Sequence, residues 1–277
     1  MDLTSLQTIQ QLLKKHGLRP NKRLGQNFLI DRATLDQFID TADLTMKDTV
    51  IEIGPGLGTL TVQLAKHAKK VIAVEKDKKL IPILNEVARQ NTNIEIVNKD
   101  ILEFNPPKNG LYTLAGNIPY YLTSRLLRVF LESDYPPQNI ILIVQKEVAQ
   151  RICAKPPEMS ILSISVQFYA EPRIISYVLR SSFWPMPDVD SAIIRICPIA
   201  VANSGNTDPS LFFRIVKAGF SSPRKQLANN LSRGLKIPRR FIEQWLARAS
   251  IDLTARAETL TVNQWKTLVS LSKPTQR

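Results

Sequence analysis

Val50-Ile-Glu-Ile-Gly-Pro-Gly-Leu-Gly58 carries the chain from a β-branched apolar run, through glycines at every second position, into residues 60–68, where apolar residues recur three and four apart. That change of period, from strand to amphipathic helix across a glycine turn, is how a wound α/β sheet begins. The pattern repeats. Residues 71–75, 94–97, 111–115 and 140–145 read as short buried strands, like 49–53, and 78–89 and 122–132 read as amphipathic helices. Strands apolar on both faces and separated by helices predict a parallel, doubly wound sheet. Two later runs, 173–179 and 191–197, have no convincing helix between them and are expected as an antiparallel edge hairpin.

The remainder differs in charge. Residues 1–200 carry 24 Lys and Arg against 20 Asp and Glu, whereas residues 201–277 carry 13 against 4. The tail reads as all helix, over 212–220, 223–233, 239–249 and 262–271, after a polar, turn-rich stretch at 201–209. The expected organisation is therefore an α/β domain over 1–200 and a small basic helical domain over 207–277. A formal charge of +13 in 277 residues fits a polyanionic partner better than an ordinary metabolic substrate. Cys153 and Cys197 make no disulfide framework and suit a reducing compartment. The longest purely apolar run, 140–144, is far too short for a membrane span, and the opening Met-Asp-Leu-Thr lacks the marks of a signal peptide. A cytoplasmic protein that touches no membrane is expected.

The glycine turn is a ligand site in prospect. It lets a ligand approach the backbone, and the helix start behind it offers free N–H groups. Glu75 ends the next strand 21 residues after Gly54, where dinucleotide folds place a ribose-binding carboxylate. The spacing here is G-x-G-x-G, not the G-x-G-x-x-G of nicotinamide folds. Glu52, two residues ahead of the glycines, suits a ligand with a cationic amino-acid tail. Both points favour S-adenosylmethionine over NAD. Asp100, after the third strand, is placed either to accept from an adenine amino group or to cap a helix.

After the fourth strand comes Gly116-Asn-Ile-Pro-Tyr-Tyr121. The amine on adenine is a poor nucleophile because its lone pair is delocalised into the ring. Acceptors on its hydrogens, the Asn117 side-chain oxygen and the Ile118 carbonyl, would favour a pyramidal nitrogen aimed at a methyl donor. Pro119 fixes the turn, and Tyr120 offers a ring to stack on the base.

Leu24-Gly-Gln-Asn-Phe-Leu29, the Gly54–Gly58 loop, Glu75, Asp100, Asn117–Tyr120, Phe183-Trp-Pro-Met-Pro-Asp-Val-Asp-Ser191 and Phe220-Ser-Ser-Pro-Arg-Lys-Gln-Leu227 occur in this order. Together they resemble the small-subunit ribosomal RNA adenine N6,N6-dimethyltransferases of the KsgA (RsmA) type. The resemblance implies a class I (Rossmann-like) methyltransferase fold and S-adenosylmethionine as donor. It also implies dimethylation of two adjacent adenosines in the 3′-terminal hairpin loop of the small-subunit rRNA, on a ribosomal precursor particle. By position it implies that Asn27, Leu29, Gly54, Glu75, Asp100 and Asn117 touch the cofactor, with Gly56 and Ile101 beside them. Asn117, Ile118 and Tyr120 would hold the target amine, and Phe183 would stack on the flipped adenine unless it is simply a core aromatic. The stretch Lys155-Pro-Pro-Glu-Met-Ser160 departs from the family's usual loop. No metal is expected, since His16 and His67 are the only histidines and no zinc spacing occurs.

In the tail, Arg224, Lys225, Arg233, Lys236, Arg239 and Arg240 are the expected contacts to the RNA backbone. Such contacts position an RNA without reading its sequence. A rather polar surface suggests a monomer. Rival readings are a large-subunit adenine methyltransferase of the Erm type, an RNA-binding assembly factor without catalysis, and a nicotinamide oxidoreductase.

Overall fold

The computed structural model describes residues 1–21, 24–108, 111–119, 122–199 and 207–272. In chain order the elements are α1 (Leu6–Lys15), β1 (Phe28–Leu29), α2 (Arg32–Ala42), β2 (Thr49–Ile53), α3 (Thr59–His67), β3 (Lys70–Glu75), α4 (Ile81–Ala88), β4 (Ile94–Asn98), β5 (Tyr112–Asn117), α5 (Thr123–Leu131) and β6 (Asn139–Gln145). There follow α6 (Lys146–Ile152), α7 (Ile161–Gln167), β7 (Ala170–Val178), β8 (Phe183–Trp184), β9 (Ser191–Pro198), α8 (Pro209–Gly219), α9 (Leu227–Leu235), α10 (Arg239–Arg248) and α11 (Val262–Ser272). The fold resolves into two compact units, 1–149 with 172–198, and 150–171 with 199–277.

In the first unit the sheet order is β4-β3-β2-β5-β6-β9-β7. Pairings β2–β3, β2–β5, β3–β4 and β5–β6 are parallel, and β6–β9 is antiparallel. Val50, Ile51, Ile53, Val71, Val74 and Leu114 are all buried, as expected of parallel strands covered on both faces. The chain winds outward from β2 to β4, then returns to lay β5 on the other side of β2. Connections leaving β2 and β5 therefore diverge, and a crevice opens at their carboxyl ends.

Boundaries moved where local bonds intervene. α4 starts at Ile81 and not at 78, because the Leu80 N–H is spent in a turn on the Asp77 carbonyl (2.9 Å) and Pro82 opens the helix. β5 runs on to Asn117, two residues past its predicted end, held by pairing with Ile143. A small ribbon, β1 with β8, has no strong sequence signal because each strand is two residues long.

In the second unit, α8 to α11 pack around Phe168, Phe212, Leu227, Leu231, Leu246 and Trp265. α7 also belongs to this unit, which the tail's charge gave no reason to expect. The predicted helix at 223–233 begins instead at Leu227. Ser222 to Lys225 form a turn closed by Lys225 N–H on the Ser222 carbonyl (3.0 Å). Buried Asn230 ties that turn down, donating to Gly219 O (2.6 Å) and Ser222 O (2.9 Å).

Candidate active site

The crevice at the ends of β2, β3 and β5 is a cleft of about 280 Å³. The glycine loop forms one wall. Gly54, Gly56 and Gly58 all have positive φ, at 59°, 61° and 90°, a region costly for any residue with a Cβ. At Gly56 there is a second reason, since an added Cβ would lie 3.3 Å from the Phe28 ring. Glu75 joins this loop to β3: one carboxylate oxygen accepts from the Gly56 N–H (3.1 Å), the other from the Asp77 N–H (2.7 Å). Glu75 is 6% exposed and Glu52 is 1% exposed. Burial raises both carboxyls above the ordinary range. For Glu75 the loop N–H groups pull back. Glu52 is pushed up to about 8 by burial, with the Thr61 hydroxyl opposing and the Glu75 charge adding to the rise. Glu52 Oε2 is buried without a hydrogen-bond partner among the described residues. An orphaned carboxylate oxygen beneath a ligand cleft is suited to a ligand that brings a cation.

Of the two readings the sequence left open for Asp100, the structure shows the cap and a position on the cleft wall. Asp100 Oδ1 accepts from Leu102 N–H (3.0 Å), capping a short 3₁₀ turn that starts at Ile101, and the residue also lines the cleft. Lys76 Nζ lies 2.8 Å from Asp100 Oδ2 and holds that carboxyl below the usual range.

The segment Leu24–Leu29 straps the other side of the cleft. Gly25, at φ 65°, brings the chain so near Pro119 that a Cβ would sit 3.2 Å from the Pro119 Cβ. Asn117 Nδ2 donates to the Asn27 carbonyl (3.0 Å), and Gln26 Nε2 donates to Asp77 (3.0 Å). The strap is thus fastened at both the Asn117 end and the Glu75 end. Asn27, Leu29, Gly54, Gly56, Glu75, Asp100, Ile101 and Asn117 all line one cleft. Ile118 is buried, and its N–H donates to Ile143 O (3.3 Å), which fixes the peptide ahead of Pro119. Tyr120 lies outside the described residues.

Of the two readings the sequence left for Phe183, the structure shows the core one. Phe183 is 3% exposed, packed with Leu29, Phe38 and Val178, and absent from the cleft lining. Its backbone pairs with Leu29 in the β1–β8 ribbon, and that pairing holds the ring in the core. Sequence reasoning missed Gln26, Lys76, Asp77 and Arg125, all of which line the cleft. Gln26 was within reach, lying inside a noted motif; for Lys76 and Arg125 no local pattern distinguishes them from other surface cations.

The six basic residues of the tail are all exposed. Arg224 and Lys225 sit on the turn before α9, Arg233 on α9, and Lys236 just beyond it at φ 57°. None of these four makes an ion pair among the described residues. Arg239 is engaged by Glu243 (2.7 Å) and Asn229 (2.9 Å). Arg239 and Arg240 open α10, where a helix dipole disfavours cations.

Over residues 17–273 the chain matches the family model described as ribosomal RNA adenine dimethylase. It is 41% identical over 263 residues to ribosomal RNA small subunit methyltransferase A of Dehalococcoides mccartyi strain 195, covering 94% of this chain and 90% of that one. It is 38% identical over 282 residues to the protein of the same name from Bacillus mycoides, covering 96% of each. Among solved structures it is similar to the 23S rRNA methyltransferase ErmE (TM-score 0.72, 30% identity, 88% of this chain and 99% of that one). It is also similar to a dimethyladenosine transferase from Plasmodium falciparum (TM-score 0.74, 26% identity, 87% and 95%).

Proposed function

The chain belongs to the ribosomal RNA adenine dimethylase family, and from that premise we propose that it dimethylates N6 of two adjacent adenosines in the 3′-terminal hairpin loop of small-subunit rRNA. It is an S-adenosylmethionine-dependent rRNA adenine dimethyltransferase on a class I methyltransferase fold. Its partner is a small-subunit precursor, met in the cytoplasm by a monomer.

The observation that carries this reading is the position of Asn117. It ends β5 at the mouth of the cleft, with its amide nitrogen committed to Asn27. The oxygen is thereby the acceptor this side chain offers an incoming amine. S-adenosylmethionine supplies a methyl already activated by its sulfonium charge, so most of the acceleration comes from positioning. Glu75 would accept from the ribose hydroxyls while still holding the glycine loop. Asp100, kept ionised by Lys76, would accept from the cofactor's adenine amine. Glu52 would face the methionyl ammonium, which supplies the cation its buried oxygen lacks. At the target, Asn117 Oδ1 and the Ile118 carbonyl would accept from the N6 hydrogens, drawing the nitrogen toward a pyramidal geometry. After transfer the N6 proton is acidic and leaves to water, so no side chain need act as base.

Arg224, Lys225, Arg233, Lys236, Arg239 and Arg240 would neutralise rRNA phosphates. The two arginines at the start of α10 oppose its dipole when free and are relieved by an anion there. Methyl transfer from labelled S-adenosylmethionine to undermethylated small and large subunits tests the reading, with Asn117→Ala alongside. Label is expected as N6,N6-dimethyladenosine in small-subunit rRNA only, and lost in the variant. Label on the large subunit would overturn it.

A further inference from the structure

The helical unit contains a second recess that the methyl-transfer reading leaves unused. It measures about 740 Å³ and is lined by parts of α8, α9, α10 and the end of α11. That volume falls within the range of small-ligand and cofactor sites. Its floor is apolar, with Ile215 and Ile242 fully buried. Two aromatic rings line it. Phe241 is 48% exposed, a large apolar surface left in water on a helix that has other positions for it. Trp245 is half-buried, and its ring is held in place by Nε1 donating to the Leu268 carbonyl at 2.9 Å.

Charge decides what this recess suits. Arg214, Lys236 and Arg248 line it, all exposed, and none makes an ion pair among the described residues. Among the described residues no Asp or Glu lines it. The Arg240 guanidinium lies over the Phe241 ring, 4.7 Å from its centroid, so the aromatic is flanked by a further cation. Flat rings beside unpaired cations match a group that is planar and apolar at one end and anionic at the other. A nucleotide is such a group: base–aromatic stacking is tolerant of sequence, and a phosphate answers the cations.

We propose that this recess holds one unpaired nucleotide of the rRNA substrate, its base against Phe241 and Trp245 and its phosphate among Arg214, Lys236 and Arg248. The proposal rests on the rRNA reading above and adds to it a place where the helical unit grips a base. The cleft at Asn117 receives the adenine to be methylated. The recess would receive a different nucleotide, one that is held and left unmodified.

The test compares wild-type protein with Phe241→Ala, Phe241→Trp, Arg214→Ala and Arg248→Ala. Binding is measured to undermethylated small subunits and to a short single-stranded oligoribonucleotide, each as a function of salt. Melting temperature and S-adenosylmethionine affinity serve as controls and should not move. Phe241→Ala is expected to weaken both RNA interactions about tenfold without changing the salt slope, and Phe241→Trp to restore them. Each arginine variant should instead lower the slope on the oligoribonucleotide, by up to about 0.7, the single-strand value for one phosphate contact.

Wild-type binding in all four variants would overturn the proposal. So would a loss on whole subunits with oligoribonucleotide binding unchanged, because the recess would then be taking a protein segment. If the wild-type protein methylates neither subunit, the assignment of substrate fails, yet the oligoribonucleotide series still decides the recess.

Discussion

Glu52 and Glu75, in the sheet unit, are 1% and 6% exposed, and Glu75 is bonded to two backbone N–H groups. Arg224, Lys225, Arg233 and Lys236, in the helical unit, stand exposed without an ion pair among the described residues. The cleft's carboxyls are fixed, costly to ionise in place and suited to a ligand that brings the complementary group. The tail's charges are exposed to solvent, so each is worth little alone and gains by number. A small cofactor demands the first arrangement, because its few polar atoms must each find a partner. A polyanion extending over many residues is served by the second.

The sharpest break between the two regions should come from Asn117→Ala. Removing one oriented acceptor at the reacting atom is expected to cost roughly 10²–10³ in kcat. Binding of small subunits should be unchanged, as single-turnover kinetics with pre-bound subunits would show. Glu75→Gln should cost about 2 kcal/mol in cofactor binding, roughly thirtyfold in Kd by calorimetry, because a neutral amide replaces a charged acceptor. RNA affinity should again stay put, and a parallel loss would mean that the two regions are coupled.

Two glycines sharpen the comparison at the level of packing. A Cβ on Gly116 would lie 2.7 Å from the Ile53 carbonyl oxygen; one on Gly219 would collide with the Trp265 ring and come within 2.9 Å of Leu227 Cδ1. Each alanine variant should lose about 1–3 kcal/mol of stability by overpacking. Thermal unfolding with and without cofactor should separate them. In Gly116→Ala cofactor affinity falls with stability, whereas Gly219→Ala retains it.

Glu52 gives a pH dependence that the solvated tail lacks. Folded, it keeps its proton up to about pH 8, against a usual carboxyl value of 4.5. Between those values the unfolded chain binds fewer protons, so this residue makes stability fall as pH rises. Glu52→Gln should flatten that fall, seen as melting temperatures that no longer diverge across the window. Binding of S-adenosylmethionine near neutral pH should release a proton from wild type and none from the variant, read from calorimetry in buffers of different ionisation heat. The smallest effect is expected from Arg224→Ala or Lys225→Ala. Each should weaken subunit binding a few-fold and reduce the salt slope by about 0.9.

Much of the cleft was legible because its chemistry is written in local patterns. Three alternating glycines after an apolar run mark the loop, and an acid at the next strand's end marks Glu75. Asn27 and Leu29 came only from what the family resemblance of the N-terminal motif implies. Lys76 was not legible as a cleft residue, because its role depends on Asp100, 24 residues away, and the motif that contains Gln26 gave no sign of its bond to Asp77, 51 residues away. The helix expected from Pro223 begins at Leu227 because Asn230 reaches back to bind the Ser222 carbonyl, a bond that the local helical pattern does not anticipate. Phe183 shows the same limit. Its motif is plain in the sequence, but pairing with Leu29 holds its ring in the core.

By itself, then, the sequence determined the alternation of strand and helix, the glycine turn with its acid partner, and the concentration of cations in the tail. These depend on side-chain period, backbone steric freedom and charge, all of which are properties of neighbours in the chain. Only the tertiary structure decided which residues face one another. It fastened the strap to Asn117 and Asp77, left Glu52 Oε2 buried without a partner among the described residues, and set two aromatic rings beside three cations in the helical unit. Those outcomes turn on long-range hydrogen bonds and burial, and their strength depends on an environment that no short stretch of sequence contains.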